Sequence, residues 1–394
     1  MKQKDLEALR IEAVKRYVGG ESPQVIGKEL SISKSWLFKW IKRYKSGRRG
    51  WFKGESRAPH RVYRKTSSKV EKRVIMVRKL LQETKLSQIG AINIQYHLQT
   101  LKEEEIPQLW TINRILKRNH LVSKREGRYQ PKGKPYPPFP PGPFYINTLH
   151  QFDILGPRYL KGDGCFYAHN LMDIGSHRVA INPKRSKDHE EVALSLKISW
   201  EIMGIPYFLQ LDNQLPLRGS NRYPRSFGLV IRLCLFLGIA PIFIPLGEPW
   251  RNGCIEKFQD TFEHKFFRKI EFSDFKDLQN QAQIFEGFHN QNHRYSCLKG
   301  QTPNDVLKNN RFPLRTFPDN FSWDSLKERP KTGKIHLIRF IRSDRMLDIF
   351  GEKFPVNKSL VYEYVRATII VKEQKIKLFH QDNLVDEFDY ELPD

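Results

Sequence analysis

The sequence predicts a multidomain protein: all-α helix-turn-helix units at the N-terminus, a mixed α/β core of five strands with flanking helices, and a small β-barrel-like C-terminal domain. Three observations carry this. Residues 1–135 hold 33 Lys and Arg against 12 Asp and Glu, a net +21 out of +25 for the whole chain. Seven prolines fall between Pro131 and Pro143 and mark an extended linker. Beyond them, helical apolar spacing gives way to short apolar runs that alternate with helical ones.

Taken in order, residues 5–18 place Leu6, Leu9, Ala13, Tyr17 and Val18 on one helical face, closed by Gly19 and Gly20. Ser22 caps a second helix with Pro23 at its first position, and Val25, Ile26 and Leu30 form its buried stripe. Ser33 caps a third over 34–45, with Leu37, Trp40, Ile41 and Tyr44 inward. Three such helices make a helix-turn-helix over 1–46. Its third helix would turn Lys34, Ser35, Trp36 and Lys39 to base edges and Lys42, Arg43 and Lys45 to phosphates. A basic linker covers 47–65. A second helical, helix-turn-helix-like unit follows over 66–125, with amphipathic stretches at 70–81, 87–98 and 110–119, the last presenting Arg114, Lys117 and Arg118. The proline-rich linker spans 126–145.

In the core, 146–310, strands are expected over 149–155, 165–173, 178–182, 207–211 and 240–244, and helices over 188–203, 223–237 and 250–267. Short alternating runs over 330–394 give the β-rich tail.

Composition narrows the function classes. The hydrophobic fraction of 39% and mean hydropathy of −0.59 suit a soluble chain. The most apolar run, 229–245, is interrupted by Arg232 and Pro241, so no membrane span is expected. The N-terminus lacks the apolar stretch of a secretory signal, which points to a cytoplasmic, nucleoid-associated protein. Cys165, Cys234, Cys254 and Cys297 have no zinc-ligand spacing and read as reduced thiols. A basic N-terminal third with interleaved tryptophans is the footprint of double-stranded DNA binding.

Against this positive background, three acids stand at the ends of regular elements: Asp153 in the first core strand, Asp212 after the fourth, and Glu256 in the helix after the fifth. A mixed sheet can bring the first two side by side with the third facing them. Oxygen-only ligands select Mg²⁺ or Mn²⁺ over zinc. Two such ions can activate an attacking oxygen and stabilise a leaving one at a phosphodiester. Asp173 reads instead as a turn-forming acid before Gly175 and Ser176, and His289 and His293 as core or loop histidines.

The segment from Pro249 through Arg251-Asn252-Gly253-Cys254-Ile255-Glu256 resembles the most diagnostic motif of the DDE transposases of bacterial insertion sequences, which have a retroviral-integrase-like catalytic core. Gln151-Phe152-Asp153 and Asp212-Asn213 resemble that family's first and second motifs, and Asn292-His293-Arg294 with Leu298 and Gly300-Gln301-Thr302-Pro303 its closing signature. The resemblance implies a ribonuclease-H-like core and a catalytic, metal-binding triad of Asp153, Asp212 and Glu256. It further implies exposure of a 3′-hydroxyl at the ends of a mobile element and its joining to target DNA, by a homo-oligomer assembled on DNA in a bacterial cell. Arg251 and Lys257, beside Glu256, are read as DNA contacts.

Some positions depart from the family pattern. Gln214 stands where a glycine usually follows Asp212-Asn213. Forty-three residues separate Asp212 from Glu256, longer than usual, and the stretch 214–226 offers Arg218, Arg222 and Arg225 to DNA. Glu263 stands where relatives are often basic, with Lys257, Lys265 and Arg268 as substitutes. Two alternatives remain open: a catalytically inactive, transposase-derived DNA-binding regulator, and a ribonuclease-H-like nuclease without strand transfer.

Overall fold

A computed structural model describes residues 3–55, 66–84, 86–122, 134, 139–310 and 314–393. Part of the basic linker and most of the proline-rich one, including Pro131, Pro135, Pro137 and Pro138, lie outside the described residues. The chain divides into two compact units, Met1–Thr66 and Ser67–Asp394.

In the first unit, α1 (Gln3–Val18), α2 (Pro23–Glu29) and α3 (Lys34–Lys45) pack around Ala13, Val14, Ile26, Leu37, Trp40 and Ile41. The Ser22 and Ser33 hydroxyls accept from the backbone N–H groups of Gln24 and Trp36, satisfying donors that each helix start leaves orphaned. Tyr44, expected inward, is exposed and packs its edge on Trp51, 5.2 Å away.

The second unit opens with α4 (Ser68–Glu83), α5 (Ala91–Thr100) and α6 (Leu109–Arg118), closed around Val74, Ile94, Leu98, Ile112 and Leu116. The middle helix starts at Ala91 rather than at residue 87 because the preceding residues bond elsewhere. Gln88 accepts from Arg294 N–H (2.7 Å), and the Ser87 carbonyl accepts from Lys265 Nζ, which ties this helical segment to the core.

The core alternates β1 (Leu149–Tyr159), β2 (Cys165–Asp173), β3 (Val179–Lys184), α7 (His189–Met203), β4 (Phe208–Leu211), α8 (Leu215–Arg218), α9 (Leu229–Phe236) and β5 (Ala240–Phe243). Then come α10 (Gly253–Thr261), α11 (Phe275–Asn292) and α12 (Pro303–Asn309). The tail holds β6 (Lys334–Phe340), β7 (Met346–Ile349), β8 (Glu352–Pro355), β9 (Tyr364–Ile370), β10 (Lys375–His380) and β11 (Asn383–Asp389).

Strands β1, β2 and β3 form an antiparallel meander, and β4 and β5 add in parallel beside β1, giving the order β3-β2-β1-β4-β5 of a ribonuclease-H-like mixed sheet. One face is covered by α7 and α9 through Phe152, Leu171, Leu196, Trp200 and Ile231. The other is covered by α10 and α11 through Met172, Ile181, Phe258, Phe262 and Phe285.

Three boundaries differ from expectation. The helix expected over 223–237 starts at Leu229, because Gly219 and Gly228 bring two backbones together: a Cβ on Gly228 would lie 2.7 Å from Gly219 backbone atoms. The helix expected over 250–267 is a 3-10 turn (Pro249–Asn252), then α10, then a π-helical turn (Phe262–Phe267). The five-stranded sheet is also larger than expected. Strand β6 pairs in parallel with β5 (Ile242 opposite His336, Phe243 opposite Leu337), and β9, β10 and β11 follow to make nine strands. Ile335, Ile369, Ile376 and Tyr390 share one hydrophobic cluster with Phe152 and Leu209. The tail is thus a β-rich extension of the core sheet, and among the described residues no pairing of β11 back to β6 closes a barrel.

The outer edge of β3 is protected by side chains instead of a strand. Asn290 on α11 accepts from Val179 N–H and donates to its carbonyl (both 2.9 Å), and Glu286 accepts from Ile181 N–H (2.7 Å). Burial pushes the Glu286 carboxyl up to about 7. This masks backbone groups that would otherwise recruit another chain. Asn290→Ala strands both Val179 groups, and we expect a loss of about 1–3 kcal/mol in urea unfolding.

Candidate active site

Asp153, Gln151 and Gln210 lie on neighbouring strands, with Gln151 directly beside Gln210 in the parallel β1–β4 ladder. Asp212 is the residue after β4, and Glu256 sits in the first turn of α10. Strand alternation puts each glutamine, two residues before an aspartate, on that aspartate's face.

These glutamines lock the segment bearing Glu256. Gln210 Nε2 donates to the Arg251 carbonyl (3.0 Å) and to Asn252 Oδ1 (3.1 Å). Asn252, buried, donates to the Phe152 carbonyl (3.1 Å). Gln151 Oε1 accepts from Ile255 N–H (3.1 Å), one of the orphan donors at the start of α10. The turn before Glu256 is therefore bonded to the strands that carry or lead to Asp153 and Asp212.

Asp153 lies within electrostatic reach of the other two acids. Burial, then Asp212, then Glu256 push the Asp153 carboxyl up to about 6 against the hydrogen bonds it accepts. Glu256 is also raised, by burial and by Asp260. Asp153 accepts from Ile154 N–H (2.8 Å) and from Gln259 Nε2 (2.9 Å). Asp212 accepts from Gln214 N–H (3.0 Å) and from Gln214 Nε2 (2.6 Å). Among the described residues, no three His, Cys, Asp or Glu side chains converge as a metal site.

Two further residues support the site. Asn170 lies opposite Asp153 in the β1–β2 ladder, fully buried, and neither polar atom of its amide has a hydrogen-bond partner. Residues directly opposite in a ladder share a face of the sheet. Arg339 on β6, also buried, donates to Asn213 Oδ1 (2.9 Å), while Asn213 donates to the Ile244 carbonyl (2.7 Å). Burial pushes the Arg339 guanidinium down to about 10. The residue next to Asp212 is thus anchored by the tail. The sequence signal for the strand glutamines was their place two residues before each aspartate; nothing local marked Asn170 or Arg339.

The predicted DNA contacts divide into two groups. Lys34, Ser35, Lys39 and Lys42 on α3 are exposed, as are Arg114 and Lys117 on α6. Phe38, one turn from Lys34 and from Lys42, is part-exposed on the same face and packs against Tyr17, 5.9 Å away. Trp36 is half-buried against Trp40. Arg43 stacks on Trp40 and pairs with Glu55 (3.0 Å). Arg118 is held by Glu71 (2.6 Å) and Arg251 by Glu248 (2.8 Å), while Lys257 pairs with Asp260 in the open. Arg225 is held by Glu352 (2.6 Å). Glu263 is buried and pairs with the part-exposed Arg158 and the exposed Arg268. Asp173 accepts from Asn147, Gly175 and Ser176, the turn role expected of it. The ring of His289 stacks on that of His293 in the core.

Residues 4–52 match the homeodomain-like domain family, and residues 237–303 match the integrase core domain family. The chain thus combines an N-terminal helix-turn-helix-like domain with an integrase-like core, and the second match contains Glu256. No curated protein matches the chain. Similar solved structures include the catalytic core domain of HTLV-2 integrase in complex with magnesium, 17% identical over 41% of this chain and 97% of that one (TM-score 0.31). A simian T-cell lymphotropic virus intasome with PP2A regulatory subunit B56 gamma is 16% identical over 74% and 88% (TM-score 0.37). The catalytic core domain of BIV integrase is 15% identical over 41% and 95% (TM-score 0.29). No helix among the described residues is long and apolar enough to cross a membrane.

Two outcomes test this geometry. Asn252→Ala removes the bond from Gln210 to Asn252 Oδ1 and the bond from Asn252 to the Phe152 carbonyl, with an expected loss of about 1–3 kcal/mol in urea unfolding. Asp153 titrates near 3.8 when unfolded and about 6 when folded, so its contribution to stability is present below pH 4 and lost as pH rises through 6. Asp153→Asn is therefore expected to stabilise the metal-free protein by about 1–3 kcal/mol at pH 7.5 and not at pH 3.5, read by chemical denaturation.

Proposed function

We propose that this chain is a DDE-class DNA transposase or integrase of a bacterial insertion sequence. It binds the ends of a mobile element, cleaves to expose a 3′-hydroxyl and joins that end to target DNA. The observation that carries the reading is the hydrogen-bonded frame by which Gln151, Gln210 and Asn252 hold the segment bearing Glu256 against the strands that carry or lead to Asp153 and Asp212. The two family matches and the net +21 of residues 1–135 support it.

The donor set suits a hard cation: three carboxylates, with the unpartnered Asn170 amide beside Asp153 as a candidate partner for water of hydration. In this reading Asp153, Asp212 and Glu256 hold Mg²⁺ or Mn²⁺, two ions in all. When bound, the cations supply Lewis-acid activation of the attacking and leaving oxygens of the phosphodiester. Gln151, Gln210 and Asn252 hold Glu256 in register with the aspartates. Asn213, held by Arg339, fixes the backbone beside Asp212. Lys34, Ser35, Lys39 and Lys42 read or neutralise duplex DNA, with Arg114 and Lys117 on the second helical segment. Pairing two ends calls for a homo-oligomer on DNA, in the cytoplasm at the nucleoid.

A catalytically inactive DNA-binding regulator is the second reading, favoured by one observation: Gln214 occupies both oxygens of Asp212. A strand-transfer assay on DNA that carries the sequences flanking the gene separates the two. Joining is expected with Mg²⁺, falling at least about a hundredfold in Asp153→Asn, the order for losing one stabiliser of developing charge. The proton competes with the cation for Asp153, so the Mg²⁺ concentration needed for half-maximal joining is expected to rise as pH falls toward 6. Joining indifferent to that substitution would overturn the catalytic assignment.

A further inference from the structure

Every carboxylate oxygen of the two aspartates accepts a hydrogen bond, but the donors differ in kind. On each acid one donor is a backbone N–H, from Ile154 or Gln214, fixed by the chain; the other is a glutamine amide, from Gln259 or Gln214. The amides sit on rotatable side chains. Gln214 is placed to start α8, yet its side chain makes no capping bond there and turns back to Asp212 instead. Asn213 beside it is pinned by Arg339 and by the Ile244 carbonyl, so release of Asp212 requires a side-chain rotation and no movement of the loop.

A hard cation needs lone pairs on these oxygens, and an N–H directed at the same oxygen competes with it. A glutamine suits a reversible contact, because rotating its amide replaces the donor by an acceptor oxygen.

We propose that Gln214 and Gln259 are amide latches: they hold Asp212 and Asp153 in a metal-free arrangement and must release them for a divalent cation to bind. This rests on the reading that these acids bind the cation. Gln259 lies on the helix that carries Glu256, so its release couples Asp153 to that helix. Gln214 and Gln259 are here positioning residues.

The test is Mn²⁺ binding by the full chain without DNA, followed by electron paramagnetic resonance of the free ion. Gln214→Ala is expected to tighten binding about tenfold, the factor for removing one competing hydrogen bond to a charged group. Its metal-free thermal midpoint should fall while the rise in midpoint on adding Mn²⁺ grows, opposite movements that a merely structural residue would not give. Gln259→Ala, on a different element, should shift affinity in the same direction and serves if the first variant folds poorly. Unchanged or weaker binding in these variants, with binding still abolished by Asp212→Asn, overturns the latch alone. Binding indifferent to Asp212→Asn, or absent from wild type and latch variants alike, overturns both the latch and the metal-dependent reading.

Discussion

The second unit depends on a small frame of buried amides at the seam between sheet and helix. Asn252 and Gln210 bond to each other, to the Phe152 carbonyl and to the Arg251 carbonyl, while Gln151 caps the start of α10. Buried polar groups are costly unless all are satisfied, and when satisfied they specify one geometry. This frame converts a flexible Trp-Arg-Asn-Gly turn into a fixed platform. It explains why a helix starting far along the chain is held, at the turn before Glu256, against the strands that carry or lead to Asp153 and Asp212.

A second constraint comes from the tail. Strand β6 adds in parallel to β5, and its neighbours extend one hydrophobic cluster from the core. Through β6 the tail places Arg339 beneath the loop after β4, where a buried guanidinium bonds to Asn213 and to backbone carbonyls. An exposed lysine or arginine can turn to DNA; a buried one bonded to carbonyls is committed to the fold. The part-buried Arg43, Arg225 and Arg251 are likewise held by acids, Arg118 is paired with Glu71 but exposed, and Lys34, Lys39, Lys42 and Lys117 are left to solvent.

Sequence and tertiary structure contributed differently. Capping serines, periodic apolar residues and the charge asymmetry were enough to place the three helices of the first unit, because those signals are local and one helix turn suffices to express them. The five core strands and the mixed sheet were legible for a related reason: short β-rich runs alternating with helices express a local period, whereas the strand order came from the tertiary pairing. The acids were legible as candidates through the motif around Asn252-Gly253 and Glu256. What periodicity did not reveal was that the tail joins the core sheet, since an apolar strand pattern is the same whether its partner is another tail strand or β5.

The sequence by itself therefore determined the elements, the uneven charge, and which acids could meet. Tertiary structure alone decided which arginines are spent on the fold, how Gln151, Gln210 and Asn252 lock the platform under Glu256, and that Gln214 and Gln259 bond to the aspartates. The longest of those contacts join residues more than a hundred positions apart, as Asn213 and Arg339 or Arg225 and Glu352 are, and a hydrogen bond across such a separation leaves no periodicity in the chain to read.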